Sequence, residues 1–299
     1  MRVFVTGATG FIGSAIVREL IDGGHAVLGL ARSDKAAASL TAAGAEVQRG
    51  SLEDLESLGS GAADSDAVIH AAFIHDFNNY GPAAAADVRA IETLGAALAG
   101  SDRRLIVTSG TLLARRQGPL ATENDPVNTA FPRKSEEAAH AAAERGARVS
   151  IVRLPPSVHG EGDHGFVPAL IKVAREKGVS AYVADRFNRW PAVHRLDAAH
   201  LYRLVLENGS AGATYHGVAD EGVPVRNVAK IIGRRLNLPV ISKSGEEAAS
   251  HFGWIGHFFA IDGPASSAQT RHQLGWRPIQ PGLISDLDAE HYFAIERAA

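Results

Sequence analysis

The chain has 299 residues, of which 45% are hydrophobic and 21% are charged, which suits one large α/β domain or a main domain with a smaller lobe. Lys and Arg total 30 against 33 Asp and Glu, and no basic cluster is long enough to follow a phosphate backbone. No stretch reaches the roughly 18 apolar residues that a membrane span needs. We therefore expect a protein that binds neither nucleic acid nor membrane.

The sequence contains no cysteine, which excludes disulfides, a thiolate nucleophile and cysteine metal ligands. Its N-terminal residues MRVFVTGATG lead directly into a predicted strand, without the features of a cleaved signal, so we expect a cytoplasmic location. No H-x-x-x-H or H-E-x-x-H spacing occurs on a predicted helix. We therefore expect no metal site.

The first half of the chain alternates short β-branched runs with Ala- and Leu-rich segments of helical period. The predicted strands cover 2–6, 25–31, 45–48, 67–70, 105–108 and 148–153. The predicted helices cover 11–22, 35–43, 82–99 and 134–146. Strands separated by helices of about ten residues or more form right-handed crossovers and a parallel sheet that is covered on both faces. The predicted fold class is α/β, with a doubly wound parallel sheet.

After Pro and Gly interrupt the pattern at 154–165, the elements become less regular. The remaining predicted elements are helices at 167–176, 197–207 and 224–236 and strands at 180–183 and 214–218. We assign residues 1–155 and about 190–220 to the main domain. The segments at about 156–189 and 221–299 are predicted to form a small C-terminal lobe that covers and binds the substrate.

Three glycines separate the first predicted strand from the first predicted helix: Gly7, Gly10 and Gly13 in TGATGFIG. In this position glycines permit a tight turn, close approach of the backbone to a pyrophosphate, and stabilisation of the anion at a helix N-terminus. Because the triplet lies within a complete βαβ unit, it indicates a dinucleotide site in a Rossmann fold more strongly than a purely structural turn.

Several further motifs follow in a fixed order along the chain: VIHAAF at 68–73, LIVTSG at 105–110, VRLPPSVHGEGD at 152–163 and VHRLDAAHLY at 193–202. Together with TGATGFIG, they make the sequence similar to the extended short-chain dehydrogenases/reductases of the NAD-dependent epimerase/dehydratase family. The resemblance implies a homodimer that pairs through the helices at 82–99 and 134–146. It also implies a set of cofactor-binding residues, which are Gly7, Thr9, Gly10, Phe11, Ile12, Gly13, Arg32, Ser33, Ser51, Leu52, Ala71, Ala72, Phe73, Ser109, Glu136, Leu154, Pro155 and Ser157.

The end of the second predicted strand indicates which cofactor is preferred. NAD-binding Rossmann folds carry an acidic residue there, whereas this sequence has Ala31 followed by Arg32 and Ser33. A guanidinium and a hydroxyl suit the 2′-phosphate of NADP. We therefore favour NADP(H), with NAD(H) possible; in the alternative interpretation Arg32 is a solvated residue at the start of a helix.

The catalytic motif that the resemblance implies is absent. The family uses a Tyr-x-x-x-Lys pair, and in the aligned segment Pro132 takes the place of the Tyr and Glu136 that of the Lys. Glu136 retains the capacity to accept hydrogen bonds from ribose hydroxyls. The family's Ser or Thr partner aligns with Gly110, with Ser109 and Thr111 on either side. We therefore expect an atypical member with a retained nucleotide site and an altered or absent proton-transfer device.

Other side chains near the carboxyl edge of the predicted sheet are candidates to supply the proton. His75 and Tyr80 follow the fourth strand, and His159 follows the sixth. The alternative for each histidine is an ordinary surface or hydrogen-bonded residue. The predicted catalytic residues are His75, Tyr80, Ser109, Thr111 and His159.

The sequence thus predicts an NADP(H)-dependent oxidoreductase that acts on a small carbonyl or alcohol substrate. Two alternatives remain open, a non-catalytic NAD(P)-binding protein with a redox-sensing or regulatory role and a nucleotide-sugar epimerase. Asp197 is predicted to cap the helix that it begins or to support the site. Trp190 and the aromatic stretch 251–259 are predicted either to roof an apolar substrate pocket or to lie in a subunit contact.

Overall fold

The computed structural model describes residues 1–76, 79–183 and 188–294. Its strands are β1 Arg2–Thr6, β2 Ala26–Ala31, β3 Glu46–Arg49, β4 Ala67–His70, β5 Arg104–Gly110, β6 Arg148–Leu154, β7 Ser157–His159, β8 Ser180–Val183, β9 Arg189–His194, β10 Thr214–His216, β11 Asp220–Pro224 and β12 Val240–Lys243. Its α-helices are α1 Phe11–Asp22, α2 Asp34–Ala42, α3 Leu55–Ala63, α4 Tyr80–Leu98, α5 Ser135–Glu144, α6 Phe166–Lys177, α7 Arg195–Asn208, α8 Val225–Leu236, α9 Gly245–Phe252, α10 Trp254–Phe259, α11 Ala268–Leu274 and α12 Leu283–Leu287.

The central sheet has the strand order β10-β6-β5-β4-β1-β2-β3, and every neighbouring pair is parallel. This topology confirms the predicted doubly wound α/β fold. The strand order reverses between β1 and β4, and in such sheets ligands bind beyond the carboxyl ends of the strands at this point. The fold therefore places a binding cleft at the ends of β1, β4 and β5.

Both faces of the central sheet are covered by helices, which explains why β1, β2 and β4 are apolar on both sides. On one face, Val3 and Val5 of β1 pack in a cluster with residues of α1 and α7, including Leu20 and Leu201. On the other face, Phe4 packs in a cluster with residues of α3, α4 and α5. Alternate residues of one strand thus contribute to two separate layers of the core.

Helix α3 is absent from the sequence prediction, because its sequence LESLGSGAA contains two glycines and little helical period. The structure explains one of the two glycines, Gly61. A Cβ on Gly61 would lie only 2.6 Å from the ring of Phe4, so the helix approaches the sheet at a position without a side chain. Asp54 caps this helix by accepting a hydrogen bond from the backbone N–H of Ser57 at 3.1 Å.

A smaller lobe is built on two short sheets, β11-β9-β7 and β12-β8. Strand β9 therefore pairs outside the central sheet, whereas β10 pairs with β6 within it. The boundary between nucleotide and substrate domains stays a prediction.

The predicted role of the aromatic residues is wrong for Trp190, Phe252 and Phe259. These three side chains are buried in the core of the smaller lobe. Their ring centroids lie 5.3 Å apart for Trp190 and Phe259 and 5.0 Å apart for Phe252 and Phe259, in edge-to-face contacts. They stabilise the lobe and are too buried to join subunits, and the cavity that Phe252 and Phe259 line has a volume of only about 10 Å³, too small for a substrate. The side chains of Trp254 and His257 lie outside the described part of the structure.

Candidate active site

The glycine-rich turn between β1 and α1 has the geometry of a nucleotide-binding loop. Gly7 has a φ of +69°, and the N–H of Gly10 donates to its carbonyl oxygen at 2.9 Å. A Cβ on Gly7 would lie 2.8 Å from the Cα of Ala72, and one on Gly13 would lie 1.9 Å from the carbonyl oxygen of Gly7. Only glycine fits at these two positions, because backbone occupies the space of a side chain.

Helix α1 begins with its amide groups uncapped by any side chain, and its first turn contains no acidic residue. The orphan N–H groups and the positive end of the helix dipole therefore suit a pyrophosphate. Thr9 and Gly10 are exposed in this turn, and Phe11 and Ile12 are half-buried. The Phe11 ring contacts the ring of His164, with centroids 5.7 Å apart, and the guanidinium of Arg195 at 5.1 Å.

The residues predicted to bind the adenosine half follow β2 and β3. Arg32 is exposed directly after β2. Ser33 caps α2 by accepting a hydrogen bond from Ala36 at 3.2 Å, which leaves its hydroxyl proton available to a ligand. After β3, the hydroxyl of Ser51 accepts from the backbone of Glu53 at 3.2 Å, and Leu52 packs against the core.

Phe73 is the centre of a group of side chains beyond the end of β4. The guanidinium of Arg133 lies 4.3 Å from the centroid of the Phe73 ring. The rings of His75 and Tyr80 lie 5.5 and 5.7 Å from the same ring. The structure therefore brings two of the predicted proton donors together beside Phe73, a predicted cofactor residue. Residues 77 and 78 lie outside the described residues.

Arg133 is a member of this group that the sequence analysis missed. Its Nε donates to the hydroxyl of Ser135 at 2.8 Å, and its Nη2 donates to the carbonyl oxygen of Thr108 at 2.9 Å. These bonds fix the guanidinium between the end of β5 and the start of α5. The available signal was its position directly after Pro132, which occupies the place of the family's tyrosine.

The positive charge of Arg133 acts on the ionisation of both aromatic neighbours. His75 is exposed on one side, but neighbouring protein atoms exclude water from the rest of its ring. This partial desolvation and the Arg133 charge both lower the pKa of that imidazole. Burial raises the pKa of Tyr80, and the nearby Arg133 charge offsets only part of this effect. At neutral pH the Tyr80 phenol therefore keeps its proton, and His75 favours its neutral form.

A chain of buried polar groups connects the glycine loop with Arg133. The hydroxyl of Thr6 lies 2.9 Å from Nδ1 of His70, and Nε2 of His70 lies 3.1 Å from Asp87. The hydroxyl of Ser135 donates to Asp87 at 2.5 Å and accepts from Arg133. Burial alone would raise the pKa of Asp87, but hydrogen bonds and charge from His70 outweigh it and lower that pKa. This series of hydrogen-bonded groups therefore keeps the Asp87 carboxylate charged beneath the site.

Glu136 has a different role from the ribose contact that its position suggested. Its Oε1 accepts from Nε of Arg153 at 2.9 Å and from the hydroxyl of Ser109 at 2.6 Å. Its Oε2 accepts from Nη2 of Arg153 at 2.7 Å. Burial would raise the pKa of Glu136, but the bonds and charge of Arg153 keep it below its ordinary value. Both oxygens are committed to protein groups, and Ser109 is held by the same carboxylate.

Arg153 extends this network to β10 at the edge of the central sheet. Its Nη1 donates to the carbonyl oxygen of Asp125 at 2.9 Å and lies 3.4 Å from Nε2 of His216. The other ring nitrogen of His216 lies 2.8 Å from the carbonyl oxygen of Ser266. Because the imidazole is buried, its pKa is lowered to about 4. His216 is therefore neutral at pH 7, with Nδ1 donating to Ser266 and Nε2 accepting from Arg153.

His159, a predicted catalytic residue, is fully buried on β7 of the smaller lobe. Its Nδ1 lies 2.7 Å from the carboxylate of Asp286, and its ring packs edge-to-face on His194 with centroids 5.4 Å apart. These contacts place His159 in the smaller lobe, on β7 beside β9. Its participation in catalysis stays a prediction.

The prediction that Asp197 caps a helix is wrong. His194 is the N-cap residue of α7, and its Nδ1 accepts from the backbone N–H of Leu196 at 3.3 Å. Asp197 lies within the first turn, where its carboxylate accepts from the backbone N–H groups of Ile279 at 3.0 Å and Gln280 at 3.1 Å. It therefore attaches the C-terminal segment to α7.

The remaining predicted residues lie at the carboxyl ends of β5 and β6. Leu154 and Pro155 are buried. The hydroxyls of Thr111 and Ser157 are also buried, and neither has a hydrogen-bond partner in the described part of the chain. These two hydroxyls and the glycine loop together fit a dinucleotide. The loop backbone can approach its pyrophosphate, and the hydroxyls can make polar contacts with its nicotinamide half. Catalytic use of Thr111 stays a prediction.

Neither a metal centre nor a membrane segment emerges from the described ranges 1–76, 79–183 and 188–294. Within them, no three His, Asp or Glu side chains come together as a metal would require. Within the same ranges, no helix combines the length and the apolarity needed to cross a bilayer.

The model of the NAD dependent epimerase/dehydratase family matches residues 3–218. The chain belongs to this family. Members of this family are generally oxidoreductases, epimerases or dehydratases, which supports an enzymatic function at that coarse level. The match begins at β1 and ends just after β10, so it covers the whole central sheet.

The chain is 51% identical to an uncharacterized protein of Schizosaccharomyces pombe, over 98% of this chain and 100% of the relative. It is 46% identical to an uncharacterized protein of Saccharomyces cerevisiae, over 97% and 99%. A 4-hydroxy-2-methyl-3-oxo-4-farnesyl-3,4-dihydroquinoline-1-oxide ketoreductase of Stigmatella aurantiaca is 28% identical, over 85% and 80%. Among solved structures, dTDP-glucose 4,6-dehydratase from Streptomyces venezuelae with NAD bound superposes with a TM-score of 0.77 at 22% identity, over 96% of this chain and 95% of that chain. The last similarity supports the fold.

Proposed function

We propose that the protein is an NADP(H)-dependent oxidoreductase that interconverts a small carbonyl compound and its alcohol. The observation that carries this proposal is the group of Arg133, Phe73, His75 and Tyr80 beyond β4 and β5, at the sheet edge where ligands bind in this fold. The group combines a cation with a protonated phenol, and both can act on a carbonyl oxygen. The similarity to the Stigmatella ketoreductase supports the same class of reaction.

The nicotinamide cofactor would supply a hydride to the carbonyl carbon, and the oxygen then requires a proton. Gly7 and Gly13 would let the backbone approach the cofactor's pyrophosphate. Tyr80 would donate the proton, because its phenol remains protonated across the neutral range. Arg133 would stabilise the negative charge that develops on the oxygen.

The preference for NADP(H) rests on the end of β2. Ala31 replaces the carboxylate that would repel a 2′-phosphate, and the exposed Arg32 and the hydroxyl of Ser33 provide donors for it. A charge-assisted contact of this kind contributes on the order of 1.5 to 3 kcal/mol.

The decisive experiment titrates the purified protein with NADPH and NADH and then screens carbonyl compounds for oxidation of the bound cofactor. The Gly7→Ala variant is the control, because its Cβ would collide with Ala72 and prevent close approach of the backbone to the cofactor. Turnover by the parent protein, lost in this variant, supports the proposal. Normal NADPH binding without reduction of any carbonyl would refute the catalytic function.

One observation favours a second candidate, a non-catalytic NAD(P)-binding protein with a regulatory role. The charge of Glu136 is neutralised internally by Arg153, and the same carboxylate holds Ser109, so the residue in the place of the family's lysine serves the structure. NADPH binding without turnover in the screen would favour this candidate.

We also propose that the protein forms a homodimer through α4 and α5. These helices pack side by side on one face of the sheet and are rich in alanine, with Ala85 and Ala96 exposed on α4. Small residues allow close approach of helices across an isologous surface. Sedimentation as a monomer at micromolar concentration would refute the dimer.

A further inference from the structure

We infer that Arg133 binds a carboxylate of the substrate, so that the substrates are oxo acids with an apolar body rather than neutral ketones. This inference rests on the proposed reductase function and names its substrate class. Arg133 would then have two roles. It would bind the carboxylate of the substrate, and it would stabilise the negative charge that develops on the reacting oxygen.

The first argument is the number of donors that Arg133 has left. A guanidinium carries five N–H donors, and the bonds to Ser135 and Thr108 use two of them. Arg103, another half-buried arginine, differs in this respect. It donates to the carbonyl oxygens of Ala62, Ala63, Ser65 and Ala97 and to the hydroxyl of Ser101. Arg103 is therefore occupied by the protein itself, whereas Arg133 retains capacity for a ligand.

The second argument is charge. Among residues 1–76, 79–183 and 188–294, no carboxylate forms an ion pair with Arg133, whereas Arg153 has Glu136, Arg189 has Asp262 and Arg203 has Glu19. The carboxylate of Asp87 reaches Arg133 only through the hydroxyl of Ser135. A half-buried guanidinium without a direct counterion strongly favours an anion, and its planar fork matches a carboxylate.

The third argument concerns which ligand carries the anion. The pyrophosphate of the cofactor would lie at the glycine loop after β1, and a 2′-phosphate would lie at Arg32 after β2. Arg133 donates to Thr108 of β5, which lies on the other side of β1 beyond β4. The anion at Arg133 therefore belongs to the substrate.

The surroundings of Arg133 define the rest of the ligand. One face of the guanidinium is covered by the ring of Phe73, and Tyr80 and His75 contact the same ring. Aromatic side chains favour an apolar or aromatic body next to the carboxylate. The buried chain through Ser135 and Asp87 makes Ser135 a positioning residue that sets the orientation of the guanidinium.

The test uses matched pairs of oxo acids and their methyl esters, which differ in charge but little in shape. The probes are 2-oxo-2-phenylacetate, 4-methyl-2-oxopentanoate and 3-oxo-3-phenylpropanoate, each with its ester, assayed with NADPH. In the parent protein we expect kcat/KM to favour the acids by about 10- to 100-fold, because charge-assisted bonds contribute about 1.5 to 3 kcal/mol. Arg133→Gln should remove this preference, and Arg133→Lys should retain part of it. Arg18→Gln, which changes an exposed arginine on α1, should leave the preference unchanged.

The outcomes separate the two proposals. Equal turnover of acids and esters by the parent protein, or an acid preference that survives in Arg133→Gln, overturns the carboxylate site and leaves the reductase function intact. If no compound is reduced, the reductase function fails, and calorimetric titration of the NADP-saturated protein with the same acids decides the site. Binding that weakens at least tenfold in Arg133→Gln supports it, and equal or undetectable binding to both proteins overturns it. Thermal unfolding of each variant verifies that the fold is retained.

Discussion

The carboxylate of Glu136 on α5 accepts hydrogen bonds from Nε and Nη2 of the Arg153 guanidinium on β6, at 2.9 and 2.7 Å. Glu136 is 1% exposed and Arg153 is 2% exposed. The family resemblance implies a lysine at position 136. This protein has Glu136 there instead, and Arg153 of β6 supplies the positive charge. It follows that Glu136→Lys does not restore the family's device, because the new ammonium would be buried beside Arg153.

The first prediction concerns the stability of this pair. Glu136→Met and Arg153→Met each leave one buried charge unpaired, so each is expected to lower the free energy of unfolding by about 3 to 5 kcal/mol. The double variant removes both charges and is expected to cost less than either single variant. Urea unfolding of the four proteins measures the coupling between the two residues. Additive losses in the double variant would show that the pair does not act as a unit.

The second prediction concerns cofactor selectivity at Arg32. We expect the parent protein to bind NADPH more tightly than NADH, and Arg32→Ala to remove most of the difference, which corresponds to about 1.5 to 3 kcal/mol. Fluorescence titration with both cofactors measures it, and Arg18→Ala is the matched control on an exposed helix face. Equal affinities of the parent protein for NADPH and NADH would contradict the prediction.

The fold was predictable because its signals are local. The alternation of apolar strands with helical segments predicted the sheet, and TGATGFIG predicted the turn at Gly7, since each pattern lies within a few consecutive residues. Element boundaries agree closely for β1, α1 and β4. Helix α3 was missed because its glycine at position 61 is explained only by contact with Phe4, which is distant in the sequence.

The candidate site was less predictable because its pairings join distant segments. His159 followed a strand toward the sheet edge in the sequence, but its partner Asp286 lies 127 residues away and buries it in the smaller lobe. Arg133 matches no motif of the family, and its guanidinium is placed by Thr108 of β5 and by contact with Phe73 after β4. The role of Glu136 likewise depends on a partner in β6. Spacing along one sequence contains no information about such contacts.

The third prediction concerns the pH dependence of stability through His216. Its pKa in the folded protein is about 4, below the ordinary value of 6.5, because burial penalises the charged imidazole. The unfolded chain therefore binds a proton at a higher pH than the folded protein does. The stability that the neutral His216 contributes is complete above about pH 6.5 and is lost as the pH falls from about 6.5 to about 4, by up to about 3 kcal/mol.

His216→Gln retains an amide donor and acceptor but does not titrate in this range. We expect the variant to show a smaller loss of unfolding free energy between pH 7 and pH 4 than the parent protein does. Urea unfolding at intervals across this range gives the two curves. Parallel curves would contradict the assignment of a neutral, buried His216.

The last prediction concerns the proton donor, for which the sequence analysis proposed His75, Tyr80 or His159. The raised pKa of Tyr80 keeps its phenol protonated, the lowered pKa of His75 favours the neutral imidazole, and His159 is fully buried against Asp286. We therefore expect Tyr80→Phe to lower kcat by about 10² to 10⁴, the usual loss on removal of a general acid, with little change in thermal unfolding. His75→Gln is expected to lower kcat by less than about tenfold.

His159→Gln is expected to lower the unfolding temperature, because it breaks a buried contact, while the folded fraction retains its kcat. Steady-state kinetics with a carbonyl substrate and NADPH, together with calorimetric unfolding, distinguish these effects. A Tyr80→Phe variant that keeps more than a tenth of the parent kcat would exclude Tyr80 as the acid, and a loss confined to kcat in His159→Gln would transfer that role to His159.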